Sequence, residues 1–268
     1  MSITQVFQIL KAKTEGALIG YVMCGDPQPD CTPAIADALI KGGIDILELG
    51  LPFSDPIADG PTIQAASTRA LNAGTSPRIV LETVKKIKKT HNTPIVVMTY
   101  YNPVFKMGLR EFFATACSRN VDGVIVPDLP VEEADEYRKA ADGTGIATIF
   151  LAAPSTSEKR LPRIVECSSG FLYLVSHFGV TGTKASVEDS TISLIQRVRP
   201  FTTGKIPLAV GFGISKPEHA KRIIAVGADG VIVGSAFVKI INENQGDRPK
   251  MLLELEGIAR KLKQATKQ

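Results

Sequence analysis

Eight short runs of aliphatic and β-branched residues recur along the chain: ALIGYVMC (17–24), DILELG (45–50), PIVVMTY (94–100), DGVIVP (122–127), ATIFLA (147–152), GFLYLV (170–175), IPLAVGF (206–212) and DGVIVG (229–234). Near-continuous apolar runs of this length suit parallel strands covered on both faces. Between them, apolar positions fall at helical spacing near 31–42, 61–73, 77–90, 108–118, 131–142, 158–167, 189–199 and 216–226, and a last helix is expected near 249–265. Ile3, Val6, Phe7 and Leu10 share one face of a short N-terminal amphipathic helix. The rhythm predicts the α/β class, as a (β/α)8 TIM barrel with an extra short N-terminal helix, one domain over 1–268. An open doubly wound sheet would carry a glycine-rich nucleotide turn after its first strand. The turn here reads CGDPQPD.

Composition narrows this little. Thirty-one basic against 27 acidic residues leaves a mild +4, with no basic stripe of the kind that binds nucleic acid. Lysines such as those of VKKIKK read as a solvated helix face. No apolar run approaches the roughly 18 residues of a membrane span, and the first residues resemble a helix, not a signal peptide. Cys24, Cys31, Cys117 and Cys167 form no CxxC pair and read as free thiols in a reducing, cytoplasmic compartment. His91, His177 and His219 lack metal-ligand spacing, so no metal site is expected.

In such a barrel, catalytic groups sit where strands end and βα loops begin. DILELG meets this condition with a carboxylate. Alternation turns Leu47 and Leu49 toward the helices, and Ile46 and Glu48 toward the interior. A carboxylate there is desolvated, which raises its pKa and suits it to give and take a proton; an internal ion pair is the structural alternative. The following loop, LPFSDPIADGP, adds Asp55 and Asp59. Asp55 is explained as a turn residue. Asp59 reads either as a turn or cap residue or as a second polar anchor opposite Glu48. Asp128 lies at another strand end, where a cap for the helix near 131 is an equal reading. Tyr173 alternates with Phe171 and Val175, and either points its hydroxyl toward the acids or is a satisfied core tyrosine.

Three late loops are rich in glycine: GVTGT (179–183), GFGIS (211–215) and GSA (234–236). Glycines at successive strand ends let backbone N–H groups approach an anion, and a phosphate site after the last two strands is a recurring use of this barrel. Tight turns without a ligand are the plainer alternative. No strand segment holds a lysine for a Schiff base, so bond cleavage would run by proton transfer between carboxylates.

ELGLPFSDPIADGPTIQ (48–64), GDP (25–27), GVTG (179–182), GFGIS (211–215) and GSAFVKII (234–241) together resemble the tryptophan synthase alpha chain family, over essentially the whole chain. The resemblance implies retro-aldol cleavage of indole-3-glycerol phosphate to indole and glyceraldehyde 3-phosphate. It implies that Glu48 protonates indole C3, that Asp59 binds the indole N–H, and that Tyr173 supports them. Gly182, Gly211, Gly213, Gly234 and Ser235 would hold the phosphate. Tyr21, Met98 and Phe212 would line the indole pocket, and Thr181 would close a loop over it. A pyridoxal phosphate-dependent beta chain is the implied partner, in an alpha-beta-beta-alpha heterotetramer that passes indole directly between sites. The alpha chain itself would need no cofactor. Asp55, Asn102, Pro103 and Pro130 are expected at that interface. Tyr21 and Cys24 depart from the Phe and Leu often found there, and His177 stands before GVTG, where its titration could tune loop closure. A stand-alone lyase and a non-catalytic activator of a beta chain are the alternative readings.

Overall fold

The structure is a computed structural model that describes residues 1–175, 184–211 and 213–267, without the side chains of 184–189. Its strands among these residues are β1 (Ala17–Met23), β2 (Ile46–Gly50), β3 (Ile95–Met98), β4 (Gly123–Ile125), β5 (Ala147–Ile149), β6 (Leu151–Ala152), β7 (Leu172–Val175), β8 (Leu208–Gly211) and β9 (Gly230–Val233). All pairings are parallel, in the order β5-β4-β3-β2-β1-β9-β8-β7-β6. The two ends of that order are one expected strand. The run ATIFLA gives its first half to β4 and its second half to β7, and Phe150 between them accepts a hydrogen bond from the Tyr173 N–H at 3.1 Å. The covalent chain therefore closes the sheet into a barrel.

Strand alternation sorts the apolar residues into two cores. Leu18, Leu47, Leu49, Val97, Leu174 and Val210 face the surrounding helices. Ile19, Ile46, Val96, Ile125, Ile149, Phe171, Tyr173 and Ile232 fill the interior together with Ile3, Val6, Phe7 and Leu10 of the N-terminal helix. That helix, Ile3–Ala12, starts in a capping box between Ser2 and Gln5 and seals the base of the barrel, with Phe7 and Phe171 ring centroids 5.9 Å apart.

The expected helices form, with shifted ends. The stretch expected as one helix over 131–142 is a 3-10 turn, Val131–Glu133, followed by a helix, Asp135–Ala141, and the one expected near 189–199 runs Lys184–Thr202. Two helices escape the periodicity. Tyr101–Met107 follows β3 at once and carries Pro103, and Ser235–Glu243 begins at the last glycine loop. Both are short, and each starts in a stretch read as strand end or ligand loop.

The base of the barrel is fastened by a repeated clasp. Asp45 donates its N–H to the Leu18 carbonyl (2.8 Å) and accepts the Leu18 N–H on its carboxylate (2.7 Å). Asp122 does the same with Ile95 (2.9 and 2.7 Å), and Asp229 with Leu208 (2.8 and 2.8 Å). Ser169 clasps Thr148 through its hydroxyl, with both bonds at 2.8 Å. Each aspartate also meets a cation: Lys263 for Asp45, Lys88 for Asp122 and Arg199 for Asp229. The side chain thus supplies the rung that a strand lacks where its pairing begins, and a backbone donor away from water is satisfied.

Asp122→Ala leaves the Ile95 N–H without its acceptor and the largely buried Lys88 ammonium without its carboxylate, with the Thr93 carbonyl (3.1 Å) still bonded to it. Urea unfolding is expected to show a loss of about 1–3 kcal/mol. Activity per folded molecule should stay unchanged, because the clasp lies at the opposite end from the acids.

Candidate active site

Glu48 points inward from β2, beside Tyr21 of β1 and Val96 of β3 in register. It is 1% exposed, and neither carboxylate oxygen has a hydrogen-bond partner among the described residues. Burial, then the charge of Asp59, pushes its pKa up from 4.5 to about 8. Near neutrality it therefore holds a proton it can give away.

Asp59 comes from the loop between β2 and the helix Pro61–Asn72. The cap reading of Asp59 is not what the structure has: Gly60 is the N-cap and Pro61 the first helical residue. The loop is pinned where Ser67 exchanges hydrogen bonds with the N–H and carbonyl of Phe53 (2.9 and 2.8 Å), and Gln64 donates to the Asp59 carbonyl at 2.8 Å. Tyr100 holds the loop beside Asp59, its hydroxyl oxygen accepting the Ala58 N–H at 3.0 Å. Burial raises the Asp59 pKa from 3.8 to about 6, and the Tyr100 hydroxyl opposes that rise. Two carboxylates on one cavity are thus held apart in proton affinity.

Tyr173 and Tyr21 are buried beside them, and burial together with the two acids raises both phenols well above their ordinary range. Both stay neutral at physiological pH. Their rings fit because of missing side chains. A Cβ on Gly211 would lie 2.5 Å from the Tyr173 hydroxyl oxygen, and one on Gly50 would lie 2.3 Å from that of Tyr21. Gly211 therefore has a packing duty in addition to any ligand. The cavity is completed by Met98, Ile63, Ile214, Ile232, Gly213, Gly234 and Ser235. Gly213 has φ +75°, and Gly234 is the N-cap of Ser235–Glu243, with no side-chain cap hydrogen bond among the described residues. Its first N–H groups suit an anion.

The remaining expected residues fall in several places. Phe212, Thr181, Gly182 and His177 lie outside the described residues. Asp128 does not cap the helix region near 131; its carboxylate accepts the Tyr101 N–H at 2.8 Å and starts the helix Tyr101–Met107. Asp55, Asn102 and Pro130 are exposed and Pro103 is half-buried, and the segments that carry Asp55, Asn102 and Pro103 also present Ile57 (82% exposed) and Phe105 (64% exposed). Asp26 of GDP is fully buried and paired with Arg69 at 2.7 and 2.8 Å, which ties the β1 turn to the helix after Asp59. Tyr100, Ile63, Ile214 and Ile232 were not among the sequence candidates. Tyr100 shares the parity of Val96 and Met98, and that was the available signal. No group of three or more potential metal ligands occurs among the described residues.

Residues 7–267 match the family model described as tryptophan synthase alpha chain. Similar proteins include the tryptophan synthase alpha chain of Methanosarcina acetivorans, 50% identical over 97% of this chain and 92% of that protein. Another is that of Solibacter usitatus, 46% identical over 97% and 96%. Among solved structures, tryptophan synthase subunit alpha from Legionella pneumophila superposes with a TM-score of 0.90 at 34% identity, covering 99% of this chain and 98% of that one. A chain of the tryptophan synthase a2b2 complex from Pyrococcus furiosus gives 0.86 at 43% identity, covering 92% and 98%.

A carboxyl group whose folded pKa lies above its unfolded one holds a proton that the unfolded chain has lost. Stability therefore falls as pH climbs from the unfolded value near 4.5 to about 8. Glu48→Gln removes this penalty. Guanidinium unfolding is expected to show the variant more stable at pH 8 by roughly 2–4 kcal/mol, with the gap closing toward pH 4.5. A gap that does not change with pH would mean that Glu48 keeps its charge when folded.

Proposed function

Because this chain belongs to the tryptophan synthase alpha chain family, we propose that it cleaves indole-3-glycerol phosphate to indole and glyceraldehyde 3-phosphate through Glu48 and Asp59. The observation that carries this reading is the buried, proton-holding Glu48, with no hydrogen-bond partner among the described residues, lining one cavity with Asp59 at the barrel mouth.

Glu48 gives its proton to indole C3. The ring nitrogen then takes up positive charge, and ionised Asp59, hydrogen-bonded to the indole N–H, stabilises it. With C3 tetrahedral, the bond to the side chain is free to break. The electrons of that bond return to the ring, while the adjacent hydroxyl loses its proton to the Glu48 carboxylate and becomes the aldehyde. Glu48 ends protonated again, so the cycle needs no other proton donor. Tyr21, Met98 and Ile63 line the space for the indole, and Tyr173 supports the acids from the interior wall. Gly213, Gly234, Ser235 and the open N-terminus of Ser235–Glu243 hold the phosphate, with Gly211 placing Tyr173 beside them.

The face with Asp55, Ile57, Asn102, Pro103, Phe105 and Pro130 is the surface for a beta chain. Exposed apolar residues rimmed by polar ones support this, as does the likeness to the chain of an a2b2 complex. Pyridoxal phosphate belongs to that partner's chemistry, not to the acids described here. Four free cysteines agree with a cytoplasmic location.

Indole release by the purified chain, alone and with a beta chain, tests the reading. Weak activity alone, strong stimulation by the partner and loss by at least about a thousandfold in Glu48→Gln are expected. High activity alone would indicate a stand-alone lyase. No cleavage in either case, with the beta chain still stimulated, would indicate a non-catalytic activator.

The pH dependence follows from the two acids. Asp59 must be ionised and Glu48 protonated, so kcat/KM should rise near pH 6 and fall near pH 8. Asp59→Asn should remove the acid limb along with most of the rate.

A further inference from the structure

We propose that Tyr100 is the positioning residue for Asp59: its phenol oxygen fixes the backbone of the catalytic loop one residue before the carboxylate. The proposal rests on the reading that ionised Asp59 stabilises the cationic ring. Tyr100 is 3% exposed and is the residue on which the helix Tyr101–Met107 begins. Its oxygen accepts the Ala58 N–H at 3.0 Å. Its ring stacks on Phe53 of the same loop, with centroids 5.3 Å apart. A phenol has one proton to donate. With a lone pair of Tyr100 occupied by the Ala58 N–H, that proton remains available to the carboxylate of the next residue, Asp59.

The charged and titratable groups around Asp59 are few. Glu48, Tyr21 and Tyr173 face it from the barrel interior, and each is a neutral or negative group. Asp128 lies on the far side of Tyr100 and adds negative charge there. Tyr100 is the one group among them whose hydroxyl favours the ionised form of Asp59. Without it, burial acts unopposed, and Asp59 holds its proton to higher pH.

Tyr100→Phe keeps the ring on Phe53 and removes the oxygen alone. Two measurements decide the matter. The first is the carboxyl-carbon NMR titration of Asp59 in the isolated chain labelled at aspartate, assigned with Asp59→Asn. Its midpoint is expected to rise by about one pH unit. The second is the pH profile of indole release in the complex with a beta chain. The acid limb should move up by the same amount, so that the rate at pH 6.5 falls roughly threefold and is nearly restored by pH 7.5, with the change in kcat and not KM. Tyr137→Phe, which removes another buried hydroxyl far from the site, should leave both profiles in place. An unchanged Asp59 midpoint and acid limb in Tyr100→Phe would overturn the proposal. If wild type releases no indole, the functional reading fails, and the NMR titration still decides whether Tyr100 controls Asp59.

Discussion

Closure of the sheet through residues 147–152 is the constraint from which the rest follows. One hexapeptide serves two neighbours, β4 below Phe150 and β7 above it. Closure removes both sheet edges and makes an interior with no route for water from the sides. The N-terminal helix seals the base with Ile3, Val6, Phe7 and Leu10. What remains open is the end where Glu48 lies. A carboxylate at the mouth of an otherwise dry tube cannot borrow hydration from elsewhere, and its raised pKa is a consequence of the barrel as much as of its own position.

Stability and chemistry occupy opposite rims. At the base, aspartates at the start of β-runs are fully used: each accepts a backbone N–H and faces a cation. At the mouth, an acid of similar chemistry has no hydrogen-bond partner among the described residues. The difference lies in what surrounds them. Lys263, Lys88 and Arg199 reach the base from the outer helices, whereas Glu48 faces Tyr21, Tyr173 and Asp59, none of which carries positive charge. Such a site is stable only because the barrel is stabilised elsewhere. The glycines at Gly50 and Gly211 belong to the same arrangement, since each gives up a side chain so that a tyrosine ring can stand against the mouth.

Much of this was legible in the sequence because it rests on period-two alternation. Ile46 and Glu48 inward, Leu47 and Leu49 outward, and Tyr173 aligned with Phe171 all follow from parity in runs too short to slip. The helices Tyr101–Met107 and Ser235–Glu243 were not legible, for a physical reason: at seven and nine residues they are fixed by what they adjoin and not by their own periodicity. Asp128 starts the first of these from a distant strand end. Asp59 was ambiguous for the same kind of reason. Local chemistry made it a turn or cap residue, and only the tertiary contact with Tyr100 separates it from Asp55, which the structure leaves exposed beside Ser54.

The proposed partner surface and the proposed chemistry share covalent continuity. Tyr100 accepts the N–H of Ala58, the residue before Asp59, and Tyr101–Met107, which carries Asn102, Pro103 and Phe105, begins one residue later. The loop that carries Asp59 also carries Asp55 and Ile57, and Ser67 and Phe53 hold it against the helix that follows. A partner seated on this face would press on both segments that meet at the Tyr100 oxygen. No long pathway is then required to couple docking to catalysis, because the two segments meet at the bond between the Tyr100 oxygen and the Ala58 N–H, beside Asp59. In the proposed chemistry, the placement of Asp59 sets how readily it ionises, and therefore how well a positive charge on the ring is met.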